Sequence, residues 1–474
     1  MARNTAPTPA GAPPKPPATD TAATGTAATG TTATGTAATG PAAPKPVPLR
    51  RNRRFQTLWA GQASATLGLQ ITDTAYPLLL LALTGSSTLA GAFGALQIGT
   101  AVLCGVHGGS IADRYDRRRI LIAADSARLL ASASVPAAMA FDRLTVLHAL
   151  LVAVVVGATI AYSGPVRLMA VRSVVPPEQL RQALAQDEAR MSGAGLIGPP
   201  LAGYLFGVGR AAPFLGTAVA SALSLAAALT VRFPGRPQDP TGRPQHPTDR
   251  PQHPADRPAA TGDDRPAGDG GALAGYRHLL ADPLLRPTLA VVLVTNLAGA
   301  AMLLPVMVLL RGNGASSGGI GLALAGEAVG ALAGALLVSR LHRLAGPGVL
   351  LLAVAWLCVP VTLVPLLPGG PAVVFAGLFV VGLGVPTLRV MIDILVFRQV
   401  EDALRGRVIA ATMTLFTLGM PAGMLGSGLL LDHLSPGAAL AAIAGLLTAA
   451  LLPATAGRTL RRSAWPVAAR PDAG

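Results

Sequence analysis

A knot of charge between two long apolar runs constrains this chain more than any other feature: Gly109-Ser-Ile-Ala-Asp-Arg-Tyr-Asp-Arg-Arg-Arg-Ile-Leu121. Before it, Ala90 to Val106 carries no charged residue; after it, Leu121 to Ala140 carries only Asp125 and Arg128. Apolar runs of this length, joined by so short a loop, read as two membrane helices with a tight turn. Arg114, Arg117, Arg118 and Arg119 place that turn on the cytoplasmic side, because positive loops are retained inside. Every other loop is assigned by counting outward from here.

Composition agrees with a bilayer protein. The chain is 51% hydrophobic and 12% charged, with mean hydropathy +0.53, where soluble proteins carry about 25% charged residues. The net charge of +15 comes from arginines between apolar runs, where orientation requires them, so no nucleic-acid partner is expected. Lys15 and Lys45 are the only lysines and lie in the N-terminal tail, so no Walker A loop exists to hold ATP. Cys104 and Cys358 fall inside apolar runs and read as packed side chains. The seven histidines have no metal-ligand spacing, so neither metal nor cofactor is expected.

Residues 1–49 repeat Ala, Thr, Gly and Pro and read as a disordered cytoplasmic tail. Arg50, Arg51, Arg53 and Arg54 mark the first membrane entry, with Trp59 near the interface. Residues 50–231 hold six apolar runs. Residues 232–283 form a cytoplasmic linker whose proline-dense repeat forbids helix and sheet. Residues 284–457 hold six more runs, and 458–474 form a second cytoplasmic tail. On this count the outer loops contain only Arg143, Arg210 and Arg311, and the inner loops the other arginine clusters. The expectation is an all-α integral membrane protein of twelve transmembrane helices, multi-pass in the cell membrane, with both termini inside.

The two halves also repeat. Gly164-Pro165 with Arg167 precedes one polar inner loop, and Val385-Pro386 with Arg389 precedes another. Two pseudo-symmetric six-helix bundles joined by a long inner linker are the build of a rocking-bundle transporter.

The opening stretch resembles the signature of the major facilitator superfamily between helices 2 and 3, G-x-L-A-D-R-x-G-R-K-x-x-L. Gly109, Ile111, Ala112, Asp113, Arg114, Arg117, Arg118 and Leu121 fall on it. Asp116 stands where the family has Gly, a position open to a left-handed turn, which Asp also tolerates. Arg54-Phe55 with Leu58-Trp59-Ala-Gly-Gln62, and Val175-Pro-Pro-Glu-Gln-Leu180, are similar to the exporter branch that includes siderophore and drug efflux proteins. The helix 5 antiporter motif G-P-x-x-G-G is met by Gly198, Pro199 and Gly203, with Ala202 for one Gly. The resemblance implies that Asp113 and its arginines lock the halves on the cytoplasmic side. It also implies a helix 4 arginine, which Thr145 to Val166 lacks.

Charges inside membrane helices need a reason to be there. Asp125 with Arg128 and Asp187 with Arg190 are spaced i, i+3; Arg389 with Asp393 is i, i+4. All lie near cytoplasmic helix ends. They read either as a gate network around Asp113 or as neutralised interfacial charges. Asp73 and Glu327 have no basic residue within four positions. Asp73 continues the stripe Gln62, Thr66, Gln70, candidates for lining a cavity, and Pro77 cannot bond its carbonyl. Glu327 stands beside the small-residue ridge Gly326, Gly330, Gly334. Burial favours a neutral carboxyl and a neighbouring cation a charged one, so the unpaired acids are the proton-coupling candidates, Asp73 first. The alternative for each is a hydrogen-bonded structural acid.

The reading is a monomeric secondary transporter, an antiporter exchanging protons for an amphipathic small-molecule substrate. An uptake permease or lysolipid flippase on the same fold is the alternative. A membrane-embedded enzyme finds no catalytic cluster to support it.

Overall fold

The computed structural model describes residues 48–231, 279, 281, 285–344, 346–399 and 402–457, without the side chains of 106–114, 168, 172, 177, 181, 338–339, 341–344, 387–411 and 413. Twelve long α-helices run through the described residues, with no strand among them. They are α1 Arg53–Thr84, α2 Ser87–Arg114, α3 Arg117–Ala140, α4 Val146–Val174, α5 Leu180–Val208 and α6 Ala212–Thr230. The second set is α7 Leu285–Gly312, α8 Ser317–Leu344, α9 Pro347–Leu363, α10 Gly370–Gln399, α11 Asp402–His433 and α12 Pro436–Ala456.

Ten of these helices are long and apolar enough to cross a membrane. The other two are α5, which carries Asp187, Glu188 and Arg190 in its first three turns, and α10, whose described apolar stretch is Gly370–Pro386.

Local chemistry sets the ends. The Asn52 side chain accepts from Phe55 N and starts α1; Gly85, at φ 68°, ends it. Thr145 caps α4 and Ser435 caps α12. Asp116 corrects the expectation of a left-handed turn. It is extended, at φ −62° and ψ 122°, and its carboxylate accepts from Arg118 N as the cap of α3. A side chain able to cap a helix gains more there than in a turn that only glycine enters freely.

The helix pairings of the first six repeat in the last six. α1 packs on α5 and α6, α2 on α4, and α3 on α4 and α6; α7 packs on α11 and α12, α8 on α10, and α9 on α10 and α12. Two seams join the sets, α2 with α11 and α5 with α8. The ridge read from sequence is real. Cβ atoms at Gly326, Gly330 and Gly334 would fall on the carbonyl oxygens of Phe375, Phe379 and Leu383, so α8 and α10 meet backbone to backbone.

Both tails and the linker fall outside the described residues except at their edges. Leu49, read as the last residue of the tail, sits in a 3-10 turn, Leu49–Arg51, buried against Phe55, Leu58 and Val231. Leu279, near the end of the linker, is fully buried against Leu285 and Leu289 of α7. In each case one large apolar side chain beside a polar segment finds the core.

Candidate functional site

Both seams are shut at one end, near the starts of α2 and α8. A Cβ at Gly91 of α2 would fall on the Met424 carbonyl oxygen of α11; Cβ atoms at Gly203 and Gly321 would fall on the carbonyl oxygens of Ser317 and Pro199. Toward the end of α2 and the start of α5, Gly99 and Gly105 on α2 and Gly193 on α5 meet nothing within 4 Å.

Asp73 marks where that change occurs. Every residue from Thr74 to Leu80 is buried, but Asp73 is exposed. Nearly one turn on, Tyr76 stacks on Phe93 of α2 at 4.2 Å between centroids and meets Phe214 of α6 edge-on at 4.7 Å. This aromatic plug seals α1 against α2 and α6. Asp73 is about 16 Å of helix from Thr84, the last residue of α1. Its Oδ1 accepts from Gln97 Nε2 of α2 at 2.8 Å. Among the described residues it has no cation partner.

Glu327 is also exposed, although Ala323 to Gly326 before it are all buried. Leu322, Leu332 and Leu336 are exposed along one face of α8, and helical spacing puts Glu327 on the opposite face. Glu327 stands ten residues after the first residue of α8, and Gln97 ten after the first of α2. The repeat therefore sets Glu327 in the second half where Asp73's hydrogen-bond donor stands in the first.

The polar stripe on α1 is engaged by neighbours. Gln62 is buried and lines a small cavity of about 10 Å³ with Asp125, Arg167 and Ser224, room for one water. Arg190 of α5 donates to the Gln62 carbonyl at 2.9 Å and to Thr66 Oγ1. Gln70 packs across Gly198 and Gly195 of α5. Of the helix 5 motif, Gly198 therefore admits α1, while Pro199 and Gly203 form the seam with α8.

Two of the three expected charge pairs lie among the described side chains, and both are in contact. Asp187 Oδ1 lies 2.7 Å from Arg190 Nη2, and Asp125 Oδ1 lies 3.6 Å from Arg128 Nη1. Asp125 has stronger partners that spacing did not show: Arg167 Nη2 of α4 at 2.8 Å and Ser224 Oγ of α6, also at 2.8 Å. Arg128 turns its other nitrogens to Thr159 Oγ1 of α4, at 2.9 and 3.2 Å. These pairs tie α1, α3, α4, α5 and α6 together; among the described residues none reaches α7–α12. Arg117 and Arg118 open α3, and Arg118 Nη2 donates to the Leu229 carbonyl at the end of α6. The side chains of Gly109, Asp113, Arg114, Arg389 and Asp393 lie outside the described residues.

One cross-seam contact was absent from the sequence reading. Asp432, near the end of α11, accepts at Oδ1 from Ser87 N at 3.0 Å and Thr88 N at 3.4 Å, and at Oδ2 from Thr88 Oγ1 at 2.5 Å. It caps α2 from the other half of the molecule. Gly207 stands at the matching position of α5, one residue from its end, and has no side chain to make such a contact. Beside that seam, Ile197, Pro200 and Tyr204 of α5 and Leu322 and Val329 of α8 line an open apolar cleft of about 580 Å³.

Comparison with known proteins agrees with this build. The family profile of the Major Facilitator Superfamily matches residues 58–312, more than half of the chain. Macrolide efflux protein A of Streptococcus pyogenes is 28% identical over 156 residues, 33% of this chain and 38% of that protein. The chain thus spans well under half the length of the curated relatives it matches. Among solved structures, the nucleoside transporter NupG superposes with a TM-score of 0.61 at 14% identity, over 85% of this chain and 98% of its own. An inward-facing, unoccupied bacterial homologue of the human lysosomal transporter Spinster gives 0.64 at 16% identity, over 88% and 98%. A D-xylose–proton symporter gives 0.59 at 15% identity, over 84% and 96%.

Proposed function

Because the chain belongs to the major facilitator superfamily, we propose that it is a proton-coupled exporter of an amphipathic small molecule, with Asp73 as the coupling carboxyl. As a member of that family it is a multi-pass membrane transporter of small molecules and not an enzyme. Twelve spans, two six-helix bundles, a cell-membrane location and cytoplasmic termini complete the reading.

The observation that carries it is the position of Asp73. A coupling group must take a proton from one side and release it to the other. Asp73 is an exposed residue at mid-helix, beside the aromatic cluster of Tyr76, Phe93 and Phe214. Outward opening of the seams at Gly91 and Gly321 would expose the same carboxyl to the other side. Asp125 and Asp187 are each ion-paired to an arginine and tied into the first six helices, which argues against them as the coupling group. Glu327, on the inner face of α8, is the second candidate. Export rather than uptake is supported by the likeness to the macrolide efflux protein. The Asp125 and Arg190 clusters act in this reading as staples inside the first bundle, and Asp113 with its arginines as the cytoplasmic lock.

The test is flux in proteoliposomes with and without an imposed pH gradient. Asp73→Asn should still exchange substrate downhill but lose its response to the gradient. A mutant that accelerates with the gradient as the wild type does would remove Asp73 from the coupling role and pass it to Glu327→Gln.

A further inference from the structure

We propose that the entry to α1 is a binding site for anionic phospholipid headgroups of the adjacent leaflet. Arg50, Arg51, Arg53 and Arg54 are all exposed. Among the described residues none of them is in an ion pair, whereas Arg128, Arg167 and Arg190, deeper in the helices, are each matched to a carboxylate. Four guanidinium groups within five residues therefore face the bilayer surface uncompensated.

The backbone that carries them is fixed on both sides. Leu49 is 2% exposed and packs with Phe55, Leu58, Val171 and Val231. Asn52 Nδ2 donates to the Val174 carbonyl of α4 at 3.1 Å, and Gln56 Nε2 donates to the Leu49 carbonyl at 3.0 Å. The turn is thus stitched to α4 and to the end of α6, and little backbone order remains to be lost on binding. Its depth is right for headgroups. Trp59, six residues after Arg53, donates its indole N–H to the Gln186 carbonyl, an amphipathic ring of the kind found at the membrane interface. A second basic edge lies close by. Arg118 reaches the Leu229 carbonyl of α6, Val231 two residues later belongs to the Leu49 cluster, and Arg119 beside Arg118 is exposed.

The ligand follows from this chemistry. Guanidinium forks bind phosphate oxygens in paired hydrogen bonds. A phosphodiester without its own ammonium, as in phosphatidylglycerol, leaves those oxygens free, whereas a zwitterionic headgroup brings a competing cation. Each basic residue at such a surface multiplies anionic-lipid affinity roughly fivefold.

The experiment uses the full chain in nanodiscs of mixed phosphatidylcholine and phosphatidylglycerol, with mass spectrometry of the lipid retained after detergent exchange. Wild type should retain phosphatidylglycerol in excess of its share. The variant Arg50→Gln, Arg51→Gln, Arg53→Gln, Arg54→Gln should lose that enrichment roughly fivefold or more, and the matching four-Lys variant should keep most of it. Wild-type enrichment should fall as salt is raised, a measurement that stands even if the Gln variant fails to insert. Equal enrichment in the Gln variant, or salt-independent enrichment in wild type, overturns the proposal. Displacement of the lipid by millimolar inorganic phosphate overturns it too, in favour of a free-phosphate site.

Discussion

Replacing Asp432 with alanine should loosen the outer end of the transporter without touching its cavity. The carboxylate caps α2 from α11 through two backbone N–H groups and one hydroxyl. Losing an N-cap costs about 1 kcal/mol. Asp432 is exposed, so its charge adds little to that figure through water. These hydrogen bonds cross the seam and exist only while it is shut, so the loss falls on the outward-closed state alone. About 1 kcal/mol is roughly a fivefold change in the closed-to-open ratio. The reporter is Gln70→Cys, a smaller side chain at a half-buried position inward of the seam, with Cys104 and Cys358 replaced by serine. Its rate of labelling by an external, membrane-impermeant maleimide should rise roughly fivefold in Asp432→Ala. Asp432→Asn, which keeps an accepting oxygen at the cap, should rise less. Equal labelling rates in the alanine variant and its parent would refute the latch.

Three further outcomes follow from the packing. Asp125→Ala strands Arg128 and Arg167 without their shared carboxylate and should destabilise the first bundle by about 3–5 kcal/mol; an unchanged thermal midpoint in detergent would show that the arginines find other partners. Gly330→Val drives a side chain into the Phe379 carbonyl and should abolish folded, membrane-inserted protein, whereas Gly99→Ala, facing open space, should leave its amount unchanged. Deleting residues 2–46 should leave insertion and flux intact, because that segment carries too little bulky apolar surface to pack; loss of inserted protein would contradict this.

What the sequence could disclose was whatever lies within one helix. Apolar run length placed the helices, four-residue spacing found the Gly326, Gly330, Gly334 ridge, and three-residue spacing found Asp187 with Arg190. The same logic stopped short at Asp125. Its i+3 neighbour Arg128 is the more distant cation, at 3.6 Å, and its 2.8 Å partner Arg167 lies on another helix. Spacing along one helix says nothing of which helix stands beside it. Asp432 was missed for the same reason, since its partners lie 345 and 344 residues away in the chain. The stripe Gln62, Thr66, Gln70 was legible as a polar face. That Arg190 and the glycines of α5 would occupy that face was not, because the periodicity of α1 carries no record of its neighbour.

The two seams are built alike in backbone and differ in chemistry. Both close on glycine against carbonyl, at Gly91 in one and at Gly203 and Gly321 in the other. Asp432 adds hydrogen bonds from α11 to α2, while Gly207, at the matching position of α5, has nothing within 4 Å. That second edge carries the apolar cleft of Ile197, Tyr204 and Leu322. In the export reading proposed above, a cargo with a greasy side would meet that cleft at the α5–α8 edge.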